Sequence, residues 1–167
     1  MAAPPLVELH IEGIGLFVIK GLQNGYSYEK QAQFESNSIL NRASPIINYG
    51  SSGSTTISLE FEFHTTLNNG EYEEVHSPIR SLYASQFPVD PGKKGPPVCK
   101  LTIPGTYFQE WRCVISNVSI QMIGPWATKG EAMNGTVSLS LMEIDNENRK
   151  MEDVMGKAYE AHPFNGI

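Results

Sequence analysis

Gly124–Ile144 reads GPWATKGEAMNGTVSLSLMEI. Its second half alternates, with Val137, Leu139 and Leu141 on one side and Ser138 and Ser140 on the other, the period-two pattern of a half-buried strand. Its first half, Gly-Pro-Trp followed by a polar Gly-bearing segment, reads as a wide, shaped loop. Upstream, RCVISNVSIQMI supplies the strand that enters this loop; Val114, Val118, Ile120 and Met122 share a parity that Ser116 interrupts. Strand, loop and strand in this order place the C-terminal third of the chain in an antiparallel sheet.

The same period recurs outward from this point. In LVELHIE, Val7, Leu9 and Ile11 oppose Glu8, His10 and Glu12. In TTISLEFEFHTT, Ile57, Leu59, Phe61 and Phe63 oppose Ser58, Glu60, Glu62 and His64. LFVIKGLQNGYSYEKQAQF reads as two strands joined at Asn24-Gly25, since both residues tolerate the positive φ of a tight hairpin. VCKLTI and RCVISNV flank PGTYFQEW as a further hairpin about Thr106, which sets Cys99 opposite Cys113. SPIRSLYASQF is the helix: Ser77 as N-cap, Pro78 in the first turn, Ile79, Leu82 and Tyr83 at helical spacing, with a span of Pro78–Gln86. Pro88 and the prolines beyond it forbid its continuation.

Residues 36–54, rich in Ser and Gly but carrying Ile46, Ile47 and Tyr49, read as a long irregular connection. They are too apolar for a free linker, so a neighbouring subunit is expected to order them. The expected architecture is mainly β, a split barrel or two-sheet sandwich with one flanking α-helix and long loops. One β domain covers residues 1–146, and 147–167 form a charged extension with a short helix over 148–160.

Composition narrows the function. A chain of 167 residues can bury a core without staples. A net charge of −6, with basic residues scattered rather than clustered, argues against tight binding to duplex DNA. Lys93-Lys94 stand in a Pro/Gly loop and read as a solvated tip. No apolar run reaches the roughly 18 residues of a membrane span. MAAPPLVELH lacks the basic and apolar regions of a cleaved leader, so folding in the cytoplasm is expected.

Chemistry-bearing patterns are lacking. His10, His64, His76 and His162 have no metal-ligand spacing to Cys or to one another. There is no nucleophile elbow, P-loop or His-Glu-X-X-His. Glu60 and Glu62 share a strand face that reads as solvated. Asn117 and Asn134 head Asn-X-Ser/Thr triplets within strands and read as chance. No catalytic residue, metal site or cofactor is assigned, and an enzyme is not expected. Cys99 and Cys113 leave two readings open, a cross-strand disulfide or two small buried hydrophobes. Trp111 and Trp126 flank a strand and join Ile46, Ile47 and Tyr49 as candidate interface residues; a sugar-stacking role for the two tryptophans is the competing reading.

The order VCKLTIPG, RCVISNVSIQMIGPW, a Gly-bearing loop and GTVSLSLMEI resembles the baseplate hub and tail tube initiator proteins of contractile-tailed phages and related injection systems. The resemblance covers residues 97–146 and rests on Gly124-Pro125-Trp126 and the Glu143-Ile144 pair; over the first half only the strand plan agrees. It implies a tail-tube-like fold, six copies in a ring whose neighbouring sheets join around a lumen, and other hub and tube proteins as partners. DNA would pass through that lumen without specific binding, and the chain would reside in the tail of the virion after assembly in the host cytoplasm. The alternatives are the repeated tail tube protein and, in another class, a carbohydrate- or cell-wall-binding β domain. The LysM module of longer members has no counterpart in these residues, so wall binding is not carried over.

Overall fold

Alternation becomes strands throughout the computed structural model, which describes residues 7–19, 22–38, 44–65, 73–90, 92, 95–106 and 108–144. The elements are β1 (Val7–Ile11), β2 (Gly15–Ile19), β3 (Leu22–Glu29), β4 (Ala32–Asn37), β5 (Ile46–Ser52), β6 (Thr56–His64), α1 (Glu73–Ala84), β7 (Val98–Thr102), β8 (Trp111–Trp126) and β9 (Ala132–Glu143). Seven strands form one antiparallel sheet in the order β2-β1-β7-β8-β9-β6-β3, and β4 and β5 form a separate two-stranded sheet. The mainly β class with one helix holds. The large sheet ends in two different strands, so it is not a closed barrel, and the second sheet is only a ribbon.

One face of the large sheet carries the core. Val7, Leu9, Ile11, Ile57, Leu59, Phe61, Val137, Leu139 and Leu141 are buried, as their alternation requires. The sheet curls, because Tyr28 on edge strand β3 meets Phe108, beyond β7, edge-on with ring centroids 5.3 Å apart. Phe108 in turn meets Trp111 at 5.4 Å, so an aromatic chain links the edge to the middle of the sheet. Val75, Ile79 and Leu82 of α1 add the helix's buried stripe to the same core. The helix comes so near β9 that a Cβ on Gly135 would lie 2.7 Å from Ile79 Cδ1.

Five expectations are corrected in detail. Asn24-Gly25 is not a hairpin turn but a bulge within β3: the register against β6 jumps from Leu22↔Phe61 to Tyr26↔Leu59, and Gly25 takes the positive φ of 76° there. The helix runs Glu73–Ala84, so it stops short of Gln86, Ser77 is not its cap and Pro78 lies inside it. Burial of Val75 one turn earlier outweighs the loss of a single backbone donor at Pro78.

Residues 36–54 are not an irregular loop. Their flanks belong to the β4–β5 hairpin, and residues 39–43 lie outside the described part. Gly124-Pro125-Trp126 is the end of β8, not a wide loop. Trp126 pairs with Ala132, and a tight turn follows in which Ala127 N–H donates to Glu131 O and Gly130 N–H to Ala127 O, both at 2.8 Å. The parity break in β8 also has a cause. Ser116 is an extra residue between the pairs Ile115↔Leu141 and Asn117↔Ser140. The inward set therefore changes from Trp111, Cys113 and Ile115 to Val118, Ile120 and Met122, and Val114 belongs to the opposite face. The extension over 147–167, with its expected helix, lies outside the described residues.

Candidate functional site

The β4–β5 ribbon, here the arm, joins the main sheet at a root formed by Lys30, Thr55 and Glu143. Gly53 N–H donates to Gln31 O at 2.7 Å and closes the arm's base. Glu143 Oε2 accepts the Thr55 backbone N–H at 3.0 Å and lies 3.3 Å from Lys30 Nζ. Burial pushes the Glu143 carboxyl upward, but hydrogen bonds from Thr55 and the Lys30 charge outweigh it, and its pKa falls below the usual value. The last strand of the sheet thus holds the segment where the arm returns to β6.

Register decides what the arm presents. Phe34 pairs with Tyr49 and Ser36 with Ile47, so Phe34, Tyr49 and Ile47 share one face. Glu35 and Asn48, paired with each other, leave from the opposite face. The Phe34 and Tyr49 rings pack edge-on at 5.9 Å, and Tyr49 Oη lies 2.6 Å from Ser52 Oγ. These contacts do not cover the face: Phe34, Ile47 and Tyr49 remain 63, 66 and 60% exposed. Ile46 is half-buried opposite Asn37, on the other face. A two-stranded ribbon is marginal in water, so a bare aromatic face on one calls for a partner surface.

The structure separates the two tryptophans. Trp126 is largely exposed at the end of β8, beside exposed Ile123. Trp111 is buried in the core against Phe108, with no hydrogen-bond partner for Nε1, and as placed it offers nothing to a neighbour or a sugar. It begins β8 with the parity of Cys113 and Ile115, which points it inward. Cys99 and Cys113 are register partners, fully buried, and both thiols are free. Burial pushes Cys99 up to about 11 against a weaker opposing hydrogen bond to Ile115. Cys113 rises further, burial acting first and the neighbouring Cys99 adding to it.

His10 is exposed on β1 as its parity requires. His64 is not simply solvent-facing. Its Nε2 lies 2.8 Å from Glu62 Oε1 and its Nδ1 2.8 Å from Asn134 Oδ1, so Glu62 is engaged rather than merely solvated. His162 and Lys93-Lys94 lie outside the described residues. Among the described residues, no three His, Cys, Asp or Glu side chains gather as a metal site would require.

The outer face of the large sheet is electrostatically uneven. His10, Lys100 and Arg112 form a cross-strand row over β1, β7 and β8. Ser27, Ser58 and Ser140 form another over β3, β6 and β9. This second region, with Glu60 and Ser138, lines an open cleft of about 270 Å³. Hydroxyls and one carboxylate make it polar and uncharged to acidic, with no Lys or Arg in its lining.

Sequence reading missed two further bare surfaces. Tyr83 and Phe87 stack edge-on at 5.5 Å on the outer side of α1 and beyond its end. Leu16 and Val18 stand exposed on edge strand β2. Tyr83 shares helical spacing with Ile79 and Leu82, but those two are buried and Tyr83 faces outward, toward Phe87 one turn on. No protein-family model matches this chain, and a search of curated proteins found no match.

Proposed function

We propose that this chain is a structural ring subunit of a contractile phage tail, placed where the baseplate hub meets the tail tube. The observation that carries the reading is the β4–β5 arm, a separate ribbon whose Phe34, Ile47 and Tyr49 are bare in the single chain. The two ends of the large sheet support it. Among the described residues β2 and β3 each leave one side without a neighbouring strand, and an open edge is stabilised when another subunit's strand pairs with it. Closed cyclic symmetry would pair each β2 edge with the β3 edge of the next copy, and six copies would close the ring.

In such a ring the serine-rich face of β3, β6 and β9 suits a channel wall. Small hydroxyls beside Glu60 and without Lys or Arg give passing DNA no cation to hold it. The role is mechanical and needs no catalytic group, and the ring would include other hub and tube proteins in its surroundings. The repeated tail tube protein is the near alternative, separated by copy number in the particle. A glycan-binding role is weaker, because burial of Trp111 leaves Trp126 as the single exposed tryptophan.

Quantitative mass spectrometry of purified particles and imaging down the tail axis test the reading. One or two six-fold rings of this chain at the hub support it. A copy number among the highest in the virion would make it the tube protein. Absence from the particle, or density without six-fold order, would defeat it.

A further inference from the structure

The arm is a folded body joined to the main sheet at one point. β4 and β5 pair only with each other. Every residue of β4 is exposed, as is all of β5 but Ile46. Among the described residues, the side-chain bonds of the two strands stay inside the arm. Phe34 packs on Tyr49, Tyr49 Oη lies beside Ser52 Oγ, and Ser51 Oγ donates to Gln33 Oε1 at 3.2 Å. Such cross-strand pairs hold a ribbon together, but they do not fix its direction against the main sheet.

The root below is held just as well. Glu29 pairs with Thr56, Thr55 is buried and bound to Glu143, and Lys30 Nζ reaches the same carboxylate. Between these two bodies the ladder changes register. Continued from Glu29 and Thr56, it would set Ala32 opposite Gly53, yet Ala32 faces Ser52. One extra residue therefore stands on the returning strand, a bulge at Gly53-Ser54 opposite Gln31. Among the described residues a single backbone hydrogen bond crosses this step, from Gly53 N–H to Gln31 O. Gln31 and Ser54 are exposed, so no core packing stiffens it.

We propose that Gln31 and Gly53-Ser54 form a hinge on which the arm swings as one rigid ribbon. Hinges absorb their motion in a few residues at element ends, and regions with few buried contacts open at the lowest free energy. Glycine suits this place. A Cβ at position 53 would lie 3.1 Å from Gln31 O and crowd the one bond that crosses the step.

In a lone chain the hinge carries Phe34, Ile47 and Tyr49 through a range of directions. A partner surface that takes them stops the swing and selects one direction from that range. The hinge rests on the ring reading only for the identity of that partner.

The test uses the full chain, diluted to monomer, with pairs of nitroxide labels on introduced cysteines; Cys99 and Cys113 are buried and stay unlabelled. Double electron–electron resonance reads the distances. β4 holds 6 residues, about 20 Å at a strand's rise, so a swing of roughly 30° carries Asn37 about 10 Å. Asn37→Cys paired with Ser119→Cys should therefore give a distribution about twofold broader than His10→Cys paired with Ser119→Cys, whose sites share the large sheet. Glu35→Cys with Asn48→Cys, opposite each other in the arm, should keep one short separation in the continuous-wave spectrum. Deleting Ser54 removes the extra residue and should narrow the Asn37–Ser119 distribution to the in-sheet width, with circular dichroism unchanged. A narrow Asn37–Ser119 distribution in the unaltered loop would overturn the hinge. So would a spread between positions 35 and 48, which means a melted ribbon, or a folded Ser54 deletion that stays broad. A swinging arm in a chain absent from virions would uphold the hinge and defeat the tail reading; a six-fold ring whose free chains hold the arm fixed would do the reverse.

Discussion

Glu143 and Thr55 bind each other twice. The Glu143 backbone N–H donates to Thr55 O at 2.9 Å, and the Glu143 carboxylate accepts the Thr55 backbone N–H at 3.0 Å. Thr55 is the last residue before β6 and lies 2% exposed, so this reciprocal pair pins the root of the arm to the end of β9. Glu143, the residue that ends the strand, thus has a structural task of its own.

Glu143→Ala should destabilise the fold by about 1–3 kcal/mol at neutral pH, because it leaves the buried Thr55 N–H without its acceptor. Most of that loss belongs to the Thr55 bonds, since Lys30 is 45% exposed and its charge is screened. The folded pKa of Glu143 is depressed. Its contribution is therefore fully present above the unfolded carboxylate pKa and is lost as pH falls through the lower folded value. Urea unfolding of both proteins from neutral pH into acid should show the difference shrinking. A difference constant over that range would contradict the assignment.

Trp111 and Trp126 should respond oppositely to truncation. Trp111→Ala empties a site in the core and should cost about 3–5 kcal/mol. Trp126→Ala, at an exposed site, should change stability by less than about 0.5 kcal/mol and, in the proposed ring, should instead reduce incorporation. Thermal melts and a particle-assembly assay on the two variants measure both effects. Equal loss of stability from each would refute the distinction.

The thiols of Cys99 and Cys113 should resist a disulfide exchange reagent in the native chain. With Cys99 raised to about 11, the reactive thiolate is a minute fraction at neutral pH, and burial blocks approach as well. Both should titrate at once in denaturant. Rapid labelling without denaturant would mean that β7 and β8 open readily.

Gly135→Val tests how α1 is seated. The added Cβ would fall 2.7 Å from Ile79 Cδ1 and 3.2 Å from Met122 Sδ, so Ile79 must leave its rotamer or the helix shift outward. We expect about 1–3 kcal/mol of destabilisation, with Val75 and Ile79 losing burial. Hydrogen exchange across residues 73–84 should rise relative to the strands; unchanged exchange there would show that the contact yields without cost.

Within the sequence, local period was enough to mark most strands. Ile57, Leu59 and Phe61, and Val137, Leu139 and Leu141, faced the core as read, because a strand's side chains alternate whatever it pairs with. Cys99 and Cys113 also met as read, since a short hairpin sets its register by turn length. The helix, too, was legible from Ile79 to Ala84. Its earlier turn was not, because Val75 is stabilised by the sheet it packs on and not by a local cap.

What the tertiary structure alone decided was direction and pairing. An extra residue at Ser116, held by its hydroxyl on Ser140 O at 3.0 Å, turned half of β8 over. That bulge exists because β9 opposes it, so no count along β8 could have told which parity Trp111 would share with the core. Likewise Asn24-Gly25 carries the same φ preference whether it makes a hairpin or a bulge, and only the strand beside it settles which. The arm shows the same limit. Ile47 and Tyr49 were conspicuous as apolar residues in a Ser/Gly stretch, but their shared face with Phe34 arises from cross-strand register with β4. Periodicity is a property of one segment; register and burial are properties of two, and the second segment lies far away in the chain.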